Sequence, residues 1–419
     1  MTPFDVSSRI HEVESQSSEA SARALERSFD DESRLPSLGT LAREGKEASR
    51  WHRAGLAAPL DELAFIWRTM EAASPFVMAS TLWDLGWLRR PDQLLTAAEI
   101  AARTCSADKY LPLMVQWLRT LEQVGILGRV VGSPTKFVTR ELDIVRIREC
   151  VDQALAVVDI HTEYPGFIEY FRTCVAHQSG LVTGSTSPHK LLFPAGNSRL
   201  VDGLYRLNPA STTQNGVVAA IVEAACRHSG DGIRILEVGA GTGATTAAIL
   251  AAASWCSFEF IYTDISRFFL RRAARQFSAD AARLAYAVLD IDQPPEAQGF
   301  DLHSFDLIIA VNALHTAKHI DRSLNHLVSL MSNRGVMIAN ETTTNTALQM
   351  ITFGHFEGVC HFEDERRQSN LPFLSCTQWQ RALLSAGLGS VKAIPGPYSG
   401  AGSWEQHVLL ATQGSYDDA

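Results

Sequence analysis

The sequence is short of the features that would tie it to a membrane, a secretory route or a nucleic acid. Its seven cysteines in 419 residues form no CxxC pair and no dense framework, which reads as a reduced, intracellular chain with mostly buried thiols. No window reaches the roughly 18 uninterrupted apolar residues of a membrane span. Met1–Ser8 has no basic stretch leading into an apolar run, so no signal peptide is expected and the expected compartment is the cytoplasm. Positive charge is in deficit: 37 Lys and Arg face 46 Asp and Glu, a net charge of -9. That argues against a nucleic-acid partner, because neutralising phosphates needs a basic surface. No HExxH or Cys/His pattern is present. His315 and His319 have a spacing that metal sites use, and His326, His355 and His361 lie nearby, but no metal is expected. Internal repeats and low-complexity arrays are missing as well.

What the chain does have is apolar content, 46% of residues, enough for two or three domains with a full core in the main one. Residues 1–55, rich in Ser, Glu and Arg, are expected to be a partly disordered arm with a helix around Ala22–Phe29. Residues 56–140 change character. Leu63, Phe65, Ile66, Trp67 and Met70 make one apolar helix face, and Thr96 with Glu99 looks like a capping box. After a break at Ser106–Asp108 comes a helix carrying Leu113, Trp117, Leu118 and Leu121, closed by Gly125. Ile126–Val131 and Lys136–Thr139 then read as two short strands around a Gly-Ser-Pro turn. This winged-helix pattern offers little for DNA, since its second helix carries only Lys109 and Arg119 as basic residues. It resembles the N-terminal cap of small-molecule O-methyltransferases, where such a segment serves dimerisation and closes the substrate pocket; a homodimer through the cap is the corresponding expectation. Residues 141–215 read as a mostly helical lid ending in loops at Pro188, Pro194, Gly196 and Pro209.

From 216 to 415 helical and strand patterns alternate. The strands are expected at Arg234–Val238, Phe258–Tyr262, Leu284–Leu289, Phe305–Val311, Gly335–Ala339 and His407–Thr412. Such alternation implies an α/β, mostly parallel, doubly wound sheet. The first strand runs into Glu237-Val-Gly239-Ala-Gly241-Thr-Gly243, where glycines let the backbone turn and approach a ligand and a helix N-terminus offers free N–H groups. The glycines alone fit a dinucleotide as well as S-adenosylmethionine (SAM). Three acids in register with successive strands favour SAM. Glu237 is placed to meet a cationic ammonium, Asp264 to accept both ribose hydroxyls, and Asp290, followed by Ile291, to accept from the adenine amine. Asn312 either shapes that pocket by hydrogen bonding or serves a turn.

On these residues the segment from Leu200 to Thr412 resembles class I SAM-dependent methyltransferases, and more narrowly the C-methyltransferase domains of polyketide synthases. The matching stretches are Leu192-Phe-Pro194, Leu200–Pro209, Ile235–Thr246, Tyr262–Ile265, Leu289–Ile291 with Gln298–Phe300, and Phe305–His315. Arg366–Ser375 and Trp379–Gly387 match more loosely. The resemblance implies a Rossmann-like fold, SAM as cofactor, and a polyketide substrate, free or on an acyl carrier protein. Open α/β sheets bind ligands beyond the carboxyl ends of their strands, and in this fold the strands that precede His315 and Glu341 are neighbours. A carbon between two carbonyls becomes nucleophilic only on losing a proton, which a neutral imidazole can take while a carboxylate fixes its tautomer. The family's His–Glu pair carries over to His315 and Glu341 as base and partner. The Gly-Trp-Trp motif that such domains usually carry after the fifth strand is replaced by Phe356-Glu-Gly-Val-Cys-His361. The chain is also expected to be free-standing or excised, beginning at Met1 with its own cap. The dyad favours carbon methylation of a β-ketoacyl chain; the missing tryptophans favour an oxygen of a released acid, giving a methyl ester or ether.

Overall fold

The computed structural model describes residues 35–55, 57–104, 110–161, 164–194, 199–229, 232–396 and 406–413. The helix expected near Ala22–Phe29 and the break at Ser106–Asp108 lie outside them. The N-terminal region is helical. Helix Ala57–Asp84 buries Leu63, Ile66 and Met70, as the apolar spacing requires, while Phe65 stays exposed. A short strand, β1 (Leu94–Thr96), leads into helix Ala97–Thr104. At that junction the Thr96 hydroxyl accepts the Glu99 N–H and donates to the Glu99 carboxylate, both at 3.2 Å, so Thr96 caps the helix while the Glu99 carboxylate returns to the hydroxyl rather than to the backbone N–H of a full capping box. Helix Leu111–Gln123 buries Leu113, Trp117, Leu118 and Leu121, and Gly125, at φ +80°, ends the turn that follows. Strands β2 (Leu127–Arg129) and β3 (Lys136–Thr139) form an antiparallel ribbon, with β1 on the other side of β3. Helices Ile144–Asp159, Pro165–Thr183, Pro188–Leu192 and Arg199–Tyr205 complete the region. Among the described residues no helix is long and apolar enough to cross a membrane.

The C-terminal half is a seven-stranded sheet. Its strands are β4 (Ile233–Val238), β5 (Phe258–Thr263), β6 (Leu284–Ala287), β7 (Phe305–Val311), β8 (Met331–Thr342), β9 (Ser390–Ile394) and β10 (Gln406–Thr412), in the order β6-β5-β4-β7-β8-β10-β9. The pairings from β6 to β8 are parallel, and β10 runs antiparallel to both β8 and β9. The central strands are near-continuous apolar runs because both faces of the sheet are covered. In β7, Leu307 and Ile309 join one core with Leu41, Ile221 and Ile249, while Ile308 and Ala310 join the other with Leu324, Leu327 and Trp379. The alternation follows from the two-residue period of a strand.

Four expectations need correction. Of the arm expected over residues 1–55, the part over Leu38–Gly55 is an ordered helix, which packs against helix Pro209–Ser229 and the sheet; its contact face of Leu38, Leu41, Ala42 and Gly45 carries only two large apolar side chains. The boundary drawn at 215/216 falls inside helix Pro209–Ser229, because Pro209 starts that helix rather than closing a loop. Strand β9 was not anticipated; its register comes from β10, a partner distant in sequence. Glu341 lies within β8 rather than past it, because β10 pairs along the strand as far as Thr342.

The two halves interlock. After β8 the chain leaves the sheet, and Ala347, Leu348, Ile351 and Cys360 enter the N-terminal core beside Leu113, Trp117 and Tyr170. The first turn of helix Ala347–Thr352 is held by Glu71, whose carboxylate accepts the N–H groups of Ala347 at 2.9 Å and Leu348 at 2.6 Å. A negative group belongs at that end of a helix. Tyr170 donates to the Thr352 carbonyl at 3.0 Å and Gln178 to that of Ile351 at 2.6 Å.

Candidate active site

The glycine loop leaves the carboxyl end of β4 with Gly239, Gly241 and Gly243 at φ of +61°, +54° and +73°, the region where a side chain is strained. A Cβ on Gly239 would stand 2.7 Å from the Cβ of Ala313, and one on Gly243 2.7 Å from the Phe277 ring. The loop therefore touches the segment after β7 directly. Its shape is fixed by β5: the Tyr262 hydroxyl donates to the Gly241 carbonyl at 2.7 Å, and the Asp264 carboxylate accepts the Gly241 N–H at 3.0 Å.

The three acids stand in different states. Glu237 is fully buried with one side-chain partner, the Thr246 hydroxyl that donates to it. Burial pushes its carboxyl up to about 8, so the site favours a cation that restores the charge. Asp264 is raised by burial, against the N–H groups of Ser266 and Gly241 that hold it. Each of its oxygens keeps a second acceptor position for a ligand hydroxyl. Asp290 is half-buried; one of its oxygens accepts the Asp292 N–H at 3.0 Å, and Gln298 clasps its backbone through two hydrogen bonds of 2.8 and 2.9 Å. The Ile291 carbonyl accepts from His326 at 2.9 Å, which ties this loop to helix Ile320–Leu330 and gives His326 a structural role. These groups suit a ligand with an ammonium, a diol and an exocyclic amine. Asp264→Ala is expected to weaken SAM binding about 30-fold, or ~2 kcal/mol, the scale of charge-assisted hydrogen bonds. Calorimetry showing unchanged affinity would remove Asp264 from the cofactor site.

Asn312 adopts φ +49° directly after β7. Its amide oxygen accepts the N–H and hydroxyl of Thr342, both at 3.2 Å. These bonds serve the turn after β7. The turn carries the chain into a 3-10 segment, Leu314–Thr316. There His315, 8% exposed, sets Nδ1 at 2.7 Å from the carboxylate of Glu341, which is 0% exposed. The other Glu341 oxygen accepts the N–H groups of Ala313 at 2.9 Å and Leu314 at 2.7 Å. A buried carboxylate with three donors is held in one orientation. With Nδ1 engaged, Nε2 is the nitrogen left for chemistry.

Two further residues support this centre and were not singled out by sequence. The buried Arg366 donates to the backbone carbonyls of His315 at 2.7 Å and Ala317 at 2.5 Å while paired with Asp364 at 2.8 Å. Phe373 sets its ring 4.9 Å from the His315 ring, edge to face. Phe373 also borders an apolar cavity of about 20 Å³ with Leu113, Met350, Val359 and Cys360. Both lie in the stretch that matched the family loosely, and one arginine among the charges of 363–367 carries no distinguishing signal. The remaining histidines do not assemble with the dyad: His355 is buried, held near 3 by burial, and bonded to Gln178 at 2.6 Å. Among the described residues no group of three His, Cys, Asp or Glu side chains is placed to hold a metal ion.

A family model described as "Methyltransferase domain" matches residues 236–337. The solved CurJ carbon methyltransferase superposes with a TM-score of 0.75 at 26% identity, over 88% of this chain and 99% of that one. The chain carries a class I SAM-dependent methyltransferase domain. The DszA carbon methyltransferase is similar to this methyltransferase over 91% of the present chain and 98% of its own, with a TM-score of 0.78 and 25% identity. Polyketide synthase ThaG of Burkholderia thailandensis is 34% identical over 249 residues, which are 58% of this chain and 4% of that protein. The methyltransferase thus spans a small fraction of the synthase it matches, and resembles the C-methyltransferase domains of polyketide synthases.

Proposed function

We propose that this methyltransferase acts in polyketide biosynthesis and methylates the α-carbon of a β-ketoacyl chain carried as a thioester on an acyl carrier protein. The observation that carries this reading is the His315–Glu341 pair at 2.7 Å, set against the glycine loop through the Ala313–Gly239 contact. SAM, when bound, supplies an electrophilic methyl group. Glu237 would hold its ammonium, Asp264 its ribose, and Asp290 with Ile291 its adenine. His315 Nε2 would take the α-proton of the β-ketoacyl group and Glu341 would stabilise the imidazolium, leaving an enolate carbon to accept the methyl that SAM would supply. The His315 imidazolium would then pass its proton to solvent. Arg366 positions the backbone that carries the base. An oxygen of a carboxylate needs no such base, so the dyad supports carbon as the acceptor.

The stretch Phe356–His361 supports a second reading, methylation of an oxygen in a released polyketide acid. It offers Phe356, packed 4.9 Å from His189, where two tryptophans would wall the pocket. Labelled SAM offered with a β-ketoacyl thioester and with free polyketide and aromatic acids, followed by mass spectrometry, separates the two. The expected product is the α-methyl thioester. Methyl esters or ethers from the acids alone would replace the carbon reading with the oxygen one.

A further inference from the structure

Helix Arg267–Gln276, Arg-Phe-Phe-Leu-Arg-Arg-Ala-Ala-Arg-Gln, holds four arginines and no acid, in a chain whose net charge is -9. Arg272 is used within the fold, paired with Asp202 at 2.9 Å. Arg267, Arg271 and Arg275 recur every four residues, which puts them on one face of a helix. All three are exposed and make no ion pair among the described residues. Two apolar side chains stand beside them, Ile265 at 66% and Phe268 at 44% exposure. The helix follows β5 at the end of the sheet where Asp264 and the glycine loop lie. It also meets the N-terminal region, through Phe193 against Phe268 and Phe269 at 5.8 and 5.7 Å and through Asp202. A cationic stripe with no ion pair among the described residues and with apolar neighbours, at the junction of the two halves, is the complement of an acidic helical surface.

We propose that the Arg267–Arg271–Arg275 face docks the acyl carrier protein, gripping an acidic helix of the carrier while Ile265 and Phe268 meet its apolar side chains. This rests on the reading that the acceptor is carrier-bound. Of the partners a cationic stripe can attract, a protein with carboxylates at helical spacing matches best, because three guanidiniums one turn apart bind carboxylates in register. Nucleic acid is disfavoured by the overall charge.

The test uses the full chain, wild type and with Arg267→Glu, Arg271→Glu and Arg275→Glu combined; Arg267→Gln, Arg271→Gln and Arg275→Gln form a milder set. The substrates are an acidic carrier protein loaded with an acetoacetyl group and the same acyl group on N-acetylcysteamine. The expected result is a KM for the carrier substrate raised tenfold or more by reversal and less by neutralisation, with unchanged kinetics on the small thioester. Fluorescence anisotropy of the labelled carrier should show binding to the wild type that weakens with salt and is lost on reversal. Equal effects on both substrates, or carrier binding unaltered by reversal, would overturn the proposal. If the wild type methylates neither thioester, the acceptor reading fails by itself; carrier binding then decides the docking face, and a carrier that does not bind overturns it.

Discussion

His315→Ala is expected to bind SAM with unaltered affinity and to lose about 10²-fold or more in turnover, the scale of a positioned general base. The basis is the division of labour within the ring: Nδ1 is committed to Glu341 at 2.7 Å, so Nε2 is the acceptor for a substrate proton. Glu341→Gln supplies the companion test. The glutamine oxygen can still accept from Ala313 and Leu314, as the carboxylate does. Its amide would then donate to His315 Nδ1 and leave the ring proton on Nε2, the wrong tautomer for a base. The Gln variant should therefore fall to a similar rate while folding and binding SAM normally, and the double variant should be little worse than either single one. Single-turnover methyl transfer with calorimetry in parallel reads both quantities. A fully active His315→Ala enzyme would remove the dyad from the mechanism.

The second large effect concerns Glu237 and pH. Without cofactor its carboxyl is raised from 4.5 to about 8 by burial, so at pH 6–7 it is mostly protonated. A ligand ammonium favours the ionised form, so SAM binding should release close to one proton there. Affinity should climb by up to tenfold per unit as pH rises towards 8. Above that the ligand's own α-amino group begins to lose its charge. Glu237→Gln should bind SAM at least 30-fold more weakly at pH 8 and without this pH dependence. The stability consequence has the opposite direction. A carboxyl with a raised folded value binds more protons folded than unfolded, so the cofactor-free protein loses stability as pH rises from about 4.5 to about 8. The Gln variant escapes that loss and should be more stable than the wild type at pH 8 by ~2 kcal/mol or more. Calorimetry in buffers of different ionisation enthalpy, with thermal melts across pH 5–8, checks both. Binding that releases no proton would show that Glu237 does not face the cation.

The parts of the fold visible in the sequence were those set by local pattern. β4 and β7 read as apolar runs because two covered faces demand them, and the Thr96–Glu99 cap read from its spacing. The side-by-side placement of His315 and Glu341 was legible for a related reason: both sit at the same end of adjacent parallel strands. What stayed hidden depends on partners far along the chain. Helix Leu38–Gly55 contributes a glycine, Gly45, whose missing Cβ lets Ile394 and Ile221 come close; a Cβ there would meet them at 2.7 and 2.9 Å. The face of this helix follows the helical period, but with only Leu38 and Leu41 as large apolar side chains beside Ala42 and Gly45 its signal is weak. Tyr262, Arg366 and Glu71 act on backbone groups 21, 51 and 276 residues away, and no spacing rule reaches so far.

The docking of residues 347–360 into the N-terminal core bears on how the chain is made. As it emerges from the ribosome, its first helices form a bundle that lacks Ala347, Leu348, Ile351 and Cys360. Glu71, Tyr170 and Gln178 are left without the backbone groups they bind in the finished protein. That bundle must wait, with apolar surface open, until β4 to β8 have been synthesised and have delivered the missing segment. During this interval the open apolar surface makes the nascent chain prone to aggregate. A fragment ending before residue 347 is expected to aggregate, and a fragment starting at β4 would leave the apolar side of residues 347–353 exposed to water.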